Sequence, residues 1–313
     1  MDCQKRIRSF ECWGIDCEMV ERNVSVIIPT YNRAHILRKT IPTYIQEVVL
    51  EVILVDDGSD DHTREVIKQL HKQYMEVKYI RLKRHRGITY AKNAGVQKAR
   101  GKYIYFGDDD AVLYKDTLSR LKAAIETFPA DIAGAHGSYA ESRDQIEQIE
   151  KYIAEYFTVP FQTRCVMDFD TGKLNFHYKI ENVTEGLCVM ACFMIKAELA
   201  KTMKFDKAYI GNGAREDMDY LLQNAEQGRR MVYVPDTYEI DLPYFMVKGG
   251  GCRNLKFWDS IFCTIRNFNY FIDKHYTFLK KAGFISVTKR RAKLILLKNL
   301  TNDNIIPWLK TFI

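Results

Sequence analysis

The eight cysteines of this chain include no Cys-x-x-Cys pair, which argues against a zinc ribbon and a thioredoxin-like redox site. No run of about 18 apolar residues occurs, so no membrane-spanning helix is expected. The first residues lack a long apolar segment, which argues against secretion. A reducing cytoplasm follows as the expected location, with Cys3, Cys12 and Cys17 as ordinary thiols. Tracts rich in proline or glycine are missing too, as is any internal repeat, so neither a flexible linker nor a solenoid is foreseen.

What is present is the composition of a folded globular protein. Of 313 residues, 47% are hydrophobic and 28% charged, enough to bury a full core. The net charge of +7 suits nucleic acid, an anionic membrane face or a phosphorylated substrate without choosing among them. Its distribution says more: cations gather at Lys280–Lys281 and Lys289–Lys293, acids at Asp56–Asp61 and Asp108–Asp110.

Apolar, β-branched runs at Val24–Ile28, Glu51–Val55, Val77–Leu82 and Tyr103–Phe106 read as buried strands. Between them, Ala34–Val48, Thr63–Tyr74 and Gly87–Ala99 read as helices. Four such alternations predict an α/β fold with a doubly wound, mostly parallel sheet, whose ligands bind beyond the carboxyl ends of the strands. Further on, helices are expected at Thr117–Phe128, Gln145–Tyr156 and Arg215–Gln227, a hairpin within 158–184, and strands at Leu187–Ile195 and Met231–Val234 before Pro235. Residues 1–22 read as an N-terminal extension, 23–250 as the main domain and 251–313 as a basic, aromatic helical region.

Three adjacent carboxylates, Asp108, Asp109 and Asp110, directly follow a strand. They repel one another, and a hard divalent cation would offset them by taking oxygen ligands and sharing them with phosphates. An acidic solvated turn is the plain alternative. Asp57, at the end of another strand, belongs to a turn that leads into a capped helix and could also accept from a base or ribose, while Tyr31, after Pro29, reads either as core or as a ring placed to stack on a base. Glu216 and Asp217 open a helix, where a carboxylate serves either the helix dipole or as a general base.

Val24-Ser-Val-Ile-Ile-Pro-Thr-Tyr-Asn-Arg33, Val55-Asp-Asp-Gly-Ser59, Gly87 with Ala91-Lys-Asn-Ala-Gly95, Gly101-Lys-Tyr-Ile-Tyr-Phe-Gly-Asp-Asp-Asp110 and Glu216-Asp217-Met-Asp219 together resemble the family 2 glycosyltransferases in order and spacing. The resemblance covers roughly residues 23–270 and implies a GT-A fold, a nucleotide-binding half joined to an acceptor half, with reaction inverting the anomeric centre. It implies that Pro29, Tyr31 and Asp57 contact the nucleoside, with Arg86 and Asn93 nearby. Asp108 and Asp110 would hold Mn²⁺ or Mg²⁺ and, through it, the diphosphate, while Asp109 reaches ribose or sugar. Asp217 would be the base, with Glu216 contacting donor or acceptor. Asp241 stands where many members carry a metal-binding His, and Ala111 where many carry another acid.

Gly249-Gly-Gly251 with Arg253 resembles a lid over the diphosphate, with a plain mobile loop as the equal alternative. The partners implied are a nucleotide-sugar donor, UDP-linked by family habit, and a glycan or glycolipid acceptor. Nucleic acid is not among them. The cations and aromatics of Tyr276–Lys298 suit peripheral contact with the inner face of a membrane. Two other readings compete: a nucleotidyltransferase, which lacks its usual glycine-rich phosphate loop after the first strand, and a basic nucleic-acid-binding protein.

Overall fold

The computed structural model describes residues 20–188, 192–250 and 255–306. Strand β1 (Val24–Thr30) leads into a short helix, α1 (Leu37–Thr40), and a 3₁₀ turn, Ile41–Tyr44. The long helix expected over Ala34–Val48 therefore does not form. Pro42 lacks the amide that a continuing helix would use, and Val48 and Val49 turn into the next strand. The chain continues through β2 (Val49–Asp56), α2 (Thr63–Gln73), β3 (Val77–Arg81), α3 (Ile88–Lys98), β4 (Tyr103–Phe106), β5 (Ala111–Leu113), α4 (Thr117–Thr127) and β6 (Ile132–Tyr139).

Two helices, α5 (Arg143–Glu147) and α6 (Ile149–Tyr156), replace the single one expected, and α5 starts on a capping box made by Ser142 and Gln145. Small pairs fill the next segment, with β7 (Val159–Pro160) against β10 (Tyr178–Lys179) and β8 (Met167–Asp168) against β9 (Lys173–Leu174). Only the second is a hairpin; β7 and β10 run parallel. After β11 (Thr184–Gly186) come β12 (Phe193–Lys196), α7 (Ala197–Thr202), α8 (Glu216–Glu226), β13 (Met231–Asp241), α9 (Phe257–Lys281) and α10 (Lys289–Leu300).

The main sheet runs β11-β13-β6-β12-β4-β1-β2-β3, with β5 added on β13. Strands β3, β2, β1 and β4 are parallel, as expected; β12 enters antiparallel between β4 and β6. Period-2 alternation splits β1 between two cores: Ile27 faces the layer of α3, α8 and α9, whereas Val26 and Ile28 face that of α1, α2 and α4. Strand β13 does not stop at Pro235. A register break between Tyr233 and Tyr238, with Asp236 left-handed at φ 53°, absorbs the proline and lets the strand reach Asp241.

From the C-terminal aromatics, Phe268 and Phe271 enter the same core as Ile27, together with Leu279 and Leu296, while Trp258 and Phe262 stay exposed. Among the described residues no helix is long and apolar enough to cross a membrane. Cys3, Cys12, Cys17 and Arg253 lie outside the described residues.

Candidate active site

The acidic turn is built from below by buried polar side chains. Strand β4 ends at Phe106, and Gly107 follows because a Cβ there would sit 2.6 Å from the Tyr44 ring. That approach lets the Tyr44 hydroxyl donate to the Asp108 carbonyl at 2.9 Å. Thr40 donates to the Asp109 carbonyl (2.9 Å), and the Leu242 amide to that of Asp110 (2.7 Å). Below them Glu239, pushed well above the carboxylate range by burial, accepts from the Asp108 amide (3.3 Å) and the Tyr105 hydroxyl (2.6 Å). The three carbonyls of the turn and the Asp108 amide thus each have a partner, which holds the backbone that carries the three side chains.

Burial pushes the Asp108 carboxyl up to about 6, against the pull of Lys92, and Asp109 up to about 7, against Arg33. Arg33 is itself only 3% exposed, with Nη2 3.2 Å from Asp110 and Nε 3.6 Å from Asp109. Burial outweighs the two cations, so neither carboxyl returns to its ordinary range.

At the opposite wall, Asp57 accepts from the amides of Arg86 (2.9 Å) and Gly87 (2.7 Å) and pairs with His85 Nδ1 at 2.8 Å. That hydrogen bond raises the His85 pKa. The imidazole stacks on Tyr31 with centroids 4.0 Å apart, so Asp57 orients the ring that orients the tyrosine. Asp56, by contrast, is an anchor inside the fold, accepting from Ser59, Tyr79 and Arg81. The side chains of Arg86 and Asn93 turn elsewhere: Arg86 covers Tyr90 at 4.0 Å, and Asn93 exchanges two hydrogen bonds with the Phe205 backbone.

Helix α8 supplies the third wall. Glu216 is buried with its Oε1 2.7 Å from Lys92 Nζ, while Asp217, half-buried, opens into the cleft. Burial pulls the Lys92 ammonium down, but Glu216, Asp108 and Asp217 more than offset that and raise it. Asp219 is withdrawn from solvent on His275 (2.7 Å) and Lys274 (2.8 Å). Tyr139 and Asp241 close the far end.

One cleft of about 420 Å³ is therefore lined by Pro29, Tyr31, Asp57, Asp108, Asp109, Asp110, Glu216, Asp217 and Asp241, drawn from separate stretches of chain. Reasoning from sequence left out four of its walls: Arg33 and Lys92, which stood unassigned inside the quoted motifs, His85 and Tyr139.

Of the expected lid, Gly249 and Gly250 are described, and they lie over Asn32 and Arg33 with the Gly250 amide donating to the Tyr31 carbonyl at 2.9 Å. Gly250 has φ +78°, and a Cβ on it would come 2.2 Å from Arg33 Nη2. Gly250→Ala is therefore expected to cost about 1–3 kcal/mol in left-handed strain. A lower midpoint in urea denaturation would register it, and an unchanged midpoint would mean the loop can lift away at no cost.

The donor set fits a hard cation in its chemistry, because it consists of carboxylate oxygens gathered in one cleft. Arg33 Nη1 and Glu216 Oε2, both buried in the cleft wall, have no hydrogen-bond partner among the described residues, as expected of atoms that meet a ligand. Among those residues no three acidic, imidazole or thiol groups form a cage by themselves. A Mg²⁺-like ion does not need one, since one or two carboxylates plus substrate phosphates complete its shell.

Residues 25–198 match the family described as Glycosyl transferase family 2. Glycosyltransferase GlyA of Streptococcus pneumoniae is 32% identical over 210 residues, 65% of this chain but 29% of that protein. GlyG of the same organism is 27% identical over 199 residues, 62% of each. The chain thus spans only part of the length of both relatives. Among solved structures, Staphylococcus aureus TarS 1-349 in complex with UDP-GlcNAc aligns with a TM-score of 0.55 at 16% identity, covering 89% of this chain and 72% of that one. A Pyrobaculum calidifontis mannosyltransferase, in complex with GDP-Man and Mn²⁺, aligns at 0.52 and 18%, covering 92% and 72%. At such identities the likeness speaks for the fold. With the family match spanning more than half of the chain and the acidic motifs gathered in one cleft, the protein belongs to glycosyl transferase family 2 and has a GT-A fold.

Proposed function

We propose that the enzyme moves a sugar from a nucleoside diphosphate, UDP in the first instance, to a hydroxyl of a glycan or glycolipid with inversion at the anomeric carbon. The observation that carries this reading is the convergence of Asp57, Asp108–Asp110 and Asp217 on one cleft although they lie up to 160 residues apart. Tyr31 and Asp57 receive the nucleoside beside Pro29. Asp108, Asp110 and Asp241 hold Mn²⁺ or Mg²⁺, which when bound offsets charge on the diphosphate. Asp109 and Arg33 lie along the same wall and meet the ribose or the phosphates. Asp217 takes the proton of the acceptor hydroxyl as its oxygen bonds to the anomeric carbon, and the bond to the diphosphate oxygen breaks with its electron pair leaving on that oxygen. A single displacement of this kind inverts the centre. Glu216, tied to Lys92, holds the start of helix α8 so that Asp217 faces the sugar.

The test is thermal shift across nucleoside diphosphates with Mn²⁺ or Mg²⁺, alongside diphosphate release from a donor panel. One nucleotide should stabilise the fold by about 2.7 kcal/mol at a hundredfold excess over Kd. The effect should need metal and vanish in Asp110→Ala. Equal stabilisation in EDTA, or by the variant, would remove the metal and Asp110 from the proposal.

A further inference from the structure

Helix α3 has a second working face. Ile88, Ala91 and Lys92 look into the cleft, whereas Tyr90, Asn93, Ala94 and Gln97, spaced one helical turn apart, line a separate hollow of about 320 Å³. Arg86, Lys204 and Lys207 complete it. All three cations are exposed, and none forms an ion pair among the described residues. Two of them converge on one ring, Arg86 at 4.0 Å and Lys207 at 4.8 Å from the Tyr90 centroid.

The arrangement is anchored. Between the two lysines, Phe205 is buried at 1% exposure, and its backbone is fixed by the Asn93 amide at 2.8 and 2.9 Å. Asp206 does not relieve the charge, because its carboxylate is bonded to Lys274 (2.8 Å) and Tyr270 (2.7 Å). Among the described residues no acid lines the hollow.

We infer that this hollow is an anion site for a phosphate ester of sugar size, distinct from the donor cleft. Three unpaired cations gathered around one space repel each other and are relieved by a dianion; the planar guanidinium of Arg86 matches two phosphate oxygens at once. The space lies at the lower end of small-molecule sites and exceeds what a bare phosphate fills, leaving room for a polyol against Leu82 and Ala94. The Tyr90 face is already covered by Arg86, so an aromatic base is not the body expected. The phosphate could arrive free or as part of a longer acceptor.

Titration calorimetry in EDTA and low salt, with inorganic phosphate and glycerol 3-phosphate as probes, tests this. Saturable binding is expected, tighter for glycerol 3-phosphate than for inorganic phosphate, and equal affinities would overturn the assignment of an ester. Lys204→Ala/Lys207→Ala should weaken it at least fivefold, whereas Asp110→Ala should not. Both lysines are exposed, so the double variant should unfold at the wild-type temperature, which checks that it folds. Repeating the titration with a long polyphosphate separates the sources, since a polymer-borne ligand binds more tightly per site through a chain that extends from the hollow. Absence of saturable binding by the wild type, or equal binding by the double variant, overturns the inference. Either result leaves the reading of the donor cleft untouched.

Discussion

Asp217→Asn is expected to lower turnover by about 10²- to 10⁴-fold with nucleotide binding unchanged, the signature of a lost general base. The amide keeps the shape and polarity of the carboxylate but takes no proton. Three acids open helix α8, and the structure separates their chances. Glu216 is buried with one oxygen on Lys92, and Asp219 is sealed beneath His275 and Lys274, so Asp217 is the acid of the three most open to an incoming hydroxyl. Asp217 alone of the three is half open to the cleft. Diphosphate release should fall while the thermal shift caused by the nucleotide persists. Normal turnover by Asp217→Asn with the true acceptor would rule out this assignment.

The second large effect is on stability. Lys92→Met should destabilise the fold by about 3–5 kcal/mol, because it leaves Glu216 buried without its counter-ion. Glu216→Gln added to Lys92→Met should restore most of that loss, since no unpaired charge remains. The pH response has a definite sign. Burial already holds the Glu216 carboxyl at about 7, above its ordinary 4.5, with Lys92 pulling it down. Without Lys92 the group rises further. Between the ordinary value and the raised one the folded chain binds a proton that the unfolded chain does not, so stability falls as pH rises through that window. Lys92→Met should therefore melt at a higher temperature at pH 5 than at pH 8, and a flat profile would mean the pair is not a buried salt bridge in solution.

Much of this was legible in the residues because parallel strands buried on both faces are written as continuous apolar runs. Val24–Ile28 and Tyr103–Phe106 declare themselves, and the acids after them fall at the carboxyl ends where the cleft opens. Local rules misled where a proline had two outcomes. Pro42 ended a helix that the pattern extended, and Pro235 was absorbed by a bulge where the pattern ended a strand. Pairings over long separations leave no local trace. The 124-residue separation of Lys92 and Glu216 hides a salt bridge, and nothing about Asn93 says which face of α3 it takes.

The contact between α9 and Asp219 ties the far end of the chain to the helix that carries the proposed base. Asp219 is two residues beyond Asp217 on one rigid rod, and His275 and Lys274 grip it from a helix of 25 residues that also carries Phe271 and Leu279 into the core. Trimming the polypeptide after residue 256, which keeps Arg253 of the expected lid, would strip off this clamp and uncover an apolar face and a carboxylate together. Loss of function in such a shortened enzyme would report a slackened helix rather than a missing chemical group.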